Sequence, residues 1–160
     1  DTRIKKMMEG DYDAIILAYA GINRLGMIDK ANDIFSAKDI LPAVAQGALA
    51  IEVRDESGFV MDLIKKFNHG PTQIATFAER EFLIALGGGC NYPIAAYAQV
   101  NEEQITIEGM FATEDGSVLV SGEEKGPAVN YIQIARDLAV RLKAELEEKT
   151  KVAIGESSSK

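Results

Sequence analysis

Cysteine is almost absent from this sequence: Cys90 stands alone, which excludes an internal disulfide and any metal site built on a cysteine cluster. Histidine is as scarce. His69 has no partner at ligand spacing, so it reads as a surface residue in a turn and not as a metal ligand. No apolar run approaches the ~20 residues of a membrane-spanning helix. Positive charge is in deficit, with 17 Lys and Arg against 25 Asp and Glu and a net charge of −8. Such a balance repels nucleic acid and anionic membrane, so neither is an expected partner, and an anionic ligand would have to be held by a few placed cations. Gly87-Gly88-Gly89 lacks the Gly-Lys-Ser/Thr ending of a phosphate loop, which argues against nucleotide binding. A start methionine and a signal-peptide pattern are missing too. Asp1-Thr2-Arg3 enters a charged amphipathic stretch at once, as though the chain were cut from something longer. One cysteine in 160 residues suits a reducing compartment, the cytoplasm or a plastid stroma.

What the sequence does contain is an ordinary globular composition, 47% hydrophobic and 26% charged, enough for one good core or two small ones. Thr2 is a fair N-cap, and Ile4, Met7 and Met8 recur at helical spacing until Gly10. The apolar run from Ala14 to Ala20 predicts a buried parallel strand, followed by Gly21 and a helical turn from Ile22 to Gly26 that carries Arg24. This is α/β grammar. From Leu41 the chain reads as a loop, then as a strand from about Ala48 to Arg54. Ser57 to Phe67 forms a helix with Phe59, Val60, Leu63, Ile64 and Phe67 on one face. Asn68-His69-Gly70-Pro71 breaks the chain, and a domain boundary is expected there.

The second half reads as an α+β unit. A helix from Pro71 or Thr72 to Leu86 turns Ile74, Phe77, Ala78, Phe82 and Ala85 inward and ends at the glycine run. Strands follow at Ile94–Val100, Gln104–Phe111 and Ser117–Gly122, with turns at Asn101-Glu102-Glu103 and Glu114-Asp115-Gly116. A long amphipathic helix from Val129 to Lys149 closes the unit, with Tyr131, Ala135, Leu138, Leu142 and Leu146 on one face. Gly155 to Lys160 should be a frayed tail. The first half has no such closure: a strand at Ile15–Ala20 needs parallel neighbours and covering helices that the chain scarcely supplies.

The chemistry-bearing candidates each admit two readings. Cys90 follows three glycines, an uncrowded backbone on which a thiol can face a cleft. A small buried cysteine after a glycine cap is the commoner case on chemistry alone, and no neighbouring base is present to activate the sulfur. Arg3 and Arg24 lie at the edges of the α/β pattern, Arg24 just past a strand, where ligands of open α/β sheets gather. A guanidinium fork suits carboxylates, although solvated surface arginines are more frequent. Gln46-Gly47 signals by itself only a turn. Glu102-Glu103 and Glu145 to Glu148 read as solvated turns and helix faces.

Several of these segments together resemble porphobilinogen deaminases. Thr2-Arg3 with its basic helix, and then Asp13 to Gly26, look like the end of that family's second domain. Leu41 to Arg54, centred on Pro42-Ala43-Val44-Ala45-Gln46-Gly47-Ala48, resembles the passage back toward the first domain. Ala78-Glu79-Arg80-Glu81-Phe82-Leu83 and Gly88-Gly89-Cys90-Asn91-Tyr92-Pro93-Ile94 resemble the cofactor-attachment region, and Phe111-Ala112 with Asp115-Gly116-Ser117 fit the third domain's sheet. The likeness covers most of the chain in order and spacing. Two departures are conservative: Ala45 stands where glycine is usual, and Gly87 where an acidic residue is common.

The resemblance implies the C-terminal half of a hydroxymethylbilane synthase. Residues 1–47 would end a periplasmic-binding-protein-like second domain (α/β), 48–68 would return to an absent first domain, and 69–160 would be an α+β third domain. The activity implied is head-to-tail condensation of four porphobilinogen molecules with release of ammonia. Cys90 would carry a covalent dipyrromethane cofactor through a thioether, with Arg3 and Arg24 binding carboxylates and Ala18, Gln46 and Gly47 lining the cleft. The family's catalytic aspartate would lie upstream of Asp1. The partners implied are porphobilinogen, the growing oligopyrrole and the N-terminal half of the same enzyme. A non-catalytic acidic α+β binding module with a structural cysteine is the competing expectation. A free-standing cysteine enzyme is disfavoured for want of a His or Asp arrangement.

Overall fold

A three-stranded antiparallel sheet covered on one face by two helices holds the core of the molecule. The computed structural model describes residues 2–54, 58–88 and 92–157. By its internal packing the chain divides into two compact units, Asp1–Phe35 and Ser36–Lys160.

In the larger unit, the strands β1 (Ile94–Asn101), β2 (Gln104–Ala112) and β3 (Leu119–Pro127) pair in sequence order. Strand β2 shows why this segment is a strand: Ile105, Ile107, Gly109 and Phe111 alternate inward at the period of two that an extended chain imposes. Register is set by pairs such as Ala98 with Ile107 and Phe111 with Val120. The first hairpin turns on Glu102-Glu103, with Glu102 at φ 55°. In the second, the Asp115 carboxylate accepts hydrogen bonds from Thr113 Oγ1 (2.7 Å), Ser117 Oγ (2.8 Å) and Ser117 N–H (3.1 Å). These bonds, Thr113's first, stabilise the charged form and lower its pKa to about 2.

Helices α4 (Gly70–Ala85) and α5 (Tyr131–Ser157) lie on the inward face of the sheet. Phe82 from α4 and Leu138 and Leu142 from α5 are fully buried against Ile105, Ile107 and Val120. Gly109 is required here, because a Cβ at that position would stand 2.6 Å from Phe82 Cζ. The helices are tied at the rim by Arg136–Glu81 (2.9 Å), and α5 to β3 by Arg141–Glu124 (3.0 Å). Solvent-accessible pairs of this kind contribute little stability.

Several expectations change. Leu119–Pro127 is a longer strand than Ser117–Gly122, because the ladder to β2 continues past Gly122 and the charges Glu123, Glu124 and Lys125 lie on an edge strand with one side toward solvent. Helix α5 continues through Gly155 to Ser157, so the first half of the expected tail is helical, and residues 158–160 lie outside the described residues. Phe77 is not buried; it is 41% exposed and leans on Tyr131 with ring centroids 6.5 Å apart. His69 is exposed as expected but has a task. Its Nδ1 lies 2.8 Å from Thr72 Oγ1 and accepts weakly from the Thr72 N–H (3.4 Å), capping α4 ahead of Pro71.

The first unit contains α1 (Thr2–Met8), α2 (Tyr19–Arg24) and a single 3-10 turn at Ile28–Lys30. Thr2 lies within α1 instead of capping it, and Gly10 follows at φ 89°. The strand expected at Ile15–Ala20 does not form. Residues 14–18 have no regular secondary structure, 19–24 are helical, and Ile16 is 73% exposed. The second expected strand, from Ala48 to Arg54, is likewise irregular, and Leu49 is 90% exposed. A strand is stabilised by its neighbours more than by propensity, whether apolar on both faces as Ile15–Ala20 would be or alternating as Ala48–Arg54 would be, and no described residue pairs with either segment. Helix α3 (Phe59–Lys65) forms, but its apolar face, with Phe59, Val60 and Leu63, is exposed.

Candidate functional site

The residues singled out from the sequence fall in both units. In the first, Arg3 lies on α1 and Arg24 in the last turn of α2. The C-terminal end of α2 suits the cation. Both side chains are exposed, and neither has an ion-pair partner among the described residues. Ala18 is the N-cap residue of α2, with an extended backbone (φ −68°, ψ 122°). Its carbonyl accepts from the N–H groups of Gly21 and Ile22 at 3.0 and 3.2 Å.

In the second unit, residues 42–48 form a tight turn docked on the α4–β1 pair. The Gln46 N–H donates to the Ala43 carbonyl (3.0 Å), and the Ala48 N–H to that of Ala45 (3.3 Å). Gln46 and Gly47 project outward as exposed residues, with Gly47 at φ 86°. Two anchors hold the turn: the Pro42 carbonyl accepts from the Ala96 N–H (3.2 Å), and Glu79 reaches the turn from α4. Glu79 Oε2 accepts from the Ala45 N–H at 2.6 Å and Oε1 from the Ala98 N–H at 2.8 Å. The residue is only 5% exposed. Burial pushes its pKa up, and the bonds from Ala98 and Ala45 oppose that shift by favouring the carboxylate.

The burial of Glu79 is not expected from the sequence, because a charged side chain belongs outside by default. The signal was available: Ala75, Glu79, Phe82 and Leu86 share one helical face, and the other three are core residues.

Ala45 sits at φ 60°, a left-handed conformation that costs a residue with a Cβ about 1 kcal/mol relative to glycine. Ala45→Gly is therefore expected to raise stability by about 0.5–1 kcal/mol, since the turn keeps its Glu79 bond while losing the strain. A urea midpoint that falls in this variant would show that the conformation is unstrained.

Helix α4 ends as the glycine run suggested. The N–H of Gly87 donates to the Ile84 carbonyl and that of Gly88 to Leu83, both at 3.0 Å, and Gly87 has φ 102°. This paired closure at a left-handed residue leaves the end of the helix open, with space around Gly87 and Gly88 where a Cβ would meet nothing within 4 Å. Cys90, with Gly89 and Asn91, lies outside the described residues. Among the described residues no group of three or more His, Cys, Asp or Glu is placed to hold a metal, and no helix is long and apolar enough to cross a membrane.

Two family models match the chain in succession. Residues 1–62 match one described as porphobilinogen deaminase, dipyromethane cofactor binding domain, and residues 74–148 match porphobilinogen deaminase, C-terminal domain. Among curated proteins, the porphobilinogen deaminase of Carboxydothermus hydrogenoformans is 42% identical over 141 residues, covering 88% of this chain and 45% of its own length. That of Synechococcus sp. is 42% identical over 142 residues, 89% of this chain and 45% of the relative. That of Pelotomaculum thermopropionicum is 39% identical over 142 residues, 89% and 46%. The chain thus spans about half the length of the curated relatives it matches.

Proposed function

The chain belongs to the porphobilinogen deaminase family, and from that premise we propose that it works as the C-terminal half of a hydroxymethylbilane synthase, condensing four porphobilinogen molecules head to tail with loss of ammonia. The observation that carries the reading is the ordered match of both family models along one chain. In this reading residues 1–47 end a periplasmic-binding-protein-like second domain, 48–68 return to the first domain and 69–160 form the third. The exposure of Leu49, Ile51, Phe59 and Phe67 suits a segment that packs on other parts of the enzyme. The compartment proposed is the cytoplasm or a plastid stroma.

Cys90 is the attachment point of the dipyrromethane, held through a thioether, and the group supplies when bound the pyrrole on which the oligopyrrole grows. The described residues fit such a group. The glycines before Cys90 leave open space, and Arg3 and Arg24 are exposed guanidiniums with no ion-pair partner among the described residues. Each pyrrole ring brings an acetate and a propionate, and the planar fork of arginine binds a carboxylate with two parallel hydrogen bonds. Arg3 and Arg24 hold these carboxylates, while Gln46, Gly47 and the backbone at Ala18 line the cleft. Proton handling at the pyrrole nitrogens falls to an aspartate of the N-terminal half.

Losing one such charge-assisted contact costs about 1.5–3 kcal/mol, roughly ten- to a hundredfold. Arg24→Ala in the full-length enzyme is accordingly expected to lower kcat/KM for porphobilinogen by that factor while leaving Tm nearly unchanged. Normal kinetics in both Arg3→Ala and Arg24→Ala would return these residues to the solvated surface.

A further inference from the structure

We propose that Glu79 is a positioning residue that locks the cleft-lining turn at 42–47 to the two elements that flank Cys90 in the sequence. Helix α4 closes at Leu86, four residues before Cys90, and β1 opens at Ile94, four residues after it. The turn is bonded to these same two elements. Ala45 is held by Glu79 of α4, Ala98 of β1 is held by the other oxygen of the same carboxylate, and the Pro42 carbonyl is bonded by Ala96 of β1. A single buried side chain therefore joins helix, strand and turn. Its two oxygens each accept a backbone N–H, an arrangement that only a carboxylate of this length can make in place.

The chemistry explains why a charge is retained at a core position. Burying a carboxylate is unfavourable unless its oxygens are hydrogen-bonded, and here each accepts a backbone N–H that an apolar residue would leave unpaired. What the carboxylate adds is geometry: it fixes two backbone amides about one point. Gln46 and Gly47 follow Ala45 directly, so the position of the Ala45 amide sets where the turn presents them. The turn is held against strain as well, since Ala45 is kept at φ 60°. The inference rests on the functional reading above, in which Cys90 bears the cofactor and Gln46-Gly47 face the growing chain.

The test uses the full-length enzyme and two variants. In Glu79→Gln one oxygen becomes an NH2 group, which cannot accept from the facing amide. Glu79→Met roughly keeps the volume but removes both acceptors, so it is the more severe of the two, and Glu79→Gln, which keeps one acceptor, carries the test where the methionine variant folds poorly. In both, hydrogen exchange in the peptide spanning residues 42–48 should rise roughly tenfold. The cofactor mass should be retained, and kcat/KM should fall roughly tenfold at a temperature well below Tm. Unchanged exchange at 42–48, or unchanged kinetics with faster exchange, would overturn the positioning role. Loss of cofactor, fold and activity in equal proportion would also overturn it, because a purely structural residue behaves that way. A wild-type enzyme without cofactor mass or product would instead overturn the functional reading, a failure visible before any variant is made.

Discussion

On its own, the 160-residue chain is expected to form no hydroxymethylbilane from porphobilinogen, and addition of the N-terminal half is expected to restore product and raise Tm. The chemical ground is proton handling at the pyrrole nitrogens, which the proposed function gives to an aspartate of the N-terminal half. Glu79 is buried with both oxygens engaged, and Asp115 is fixed by its turn. On α5, Asp137, Glu147 and Glu148 are exposed and Glu145 pairs with Lys149 (2.8 Å). The structural ground is the exposed apolar surface. Ile16, Leu49, Ile51, Phe59 and Phe67 are all more than half exposed, and residues 14–18 have no ladder partner among the described residues. Covering such side chains contributes about 25 cal/mol per Å2 of apolar surface, so docking of the N-terminal half should add stability cooperatively. Steady product formation by the isolated chain, free of host enzyme, would contradict this.

The second large effect is expected at Cys90. Replacement by serine in the full-length enzyme changes one atom but removes the soft sulfur nucleophile, and a serine hydroxyl is a far weaker one at neutral pH. Cys90→Ser should lack the covalent dipyrromethane mass and fall to background activity. Its Tm, compared with wild-type enzyme freed of cofactor, should be little changed, because Gly87 and Gly88 close α4 independently of that side chain. An adduct of unchanged mass in the serine variant would remove Cys90 from the mechanism.

The contrast between the two halves shows what a sequence can reveal here. In β2 the alternation of Ile105, Ile107 and Phe111, and in α5 the spacing of Ala135, Leu138, Leu142 and Leu146, are periodic signals produced by burial against local partners. Those elements were legible. The run Ala14–Ala20 carries no period, because every residue in it is apolar or aromatic, and whether it extends into a sheet depends on other segments. Ala48–Arg54 does alternate, Leu49, Ile51 and Val53 against Glu52 and Arg54, yet it too has no pairing partner among the described residues. Glu79 was hidden for the opposite reason: its pattern is local and visible, yet the inward position of a carboxylate makes sense only once Ala45 and Ala98 are seen to converge on it. The roles proposed for Arg3, Arg24 and Cys90 do not follow from their chemistry alone. An exposed arginine and a lone cysteine are ordinary, and the resemblance gave them meaning.

One measurement tests the central claim most directly: peptide mapping by mass of the active full-length enzyme. Trypsin releases residues 81–125 as one fragment, since no Lys or Arg lies between Arg80 and Lys125, and Cys90 is its only cysteine. The account predicts that this fragment carries two linked pyrrole units, localised by fragmentation to Cys90. A fully active enzyme whose 81–125 fragment has the unmodified mass, or whose pyrrole adduct lies elsewhere, would contradict it.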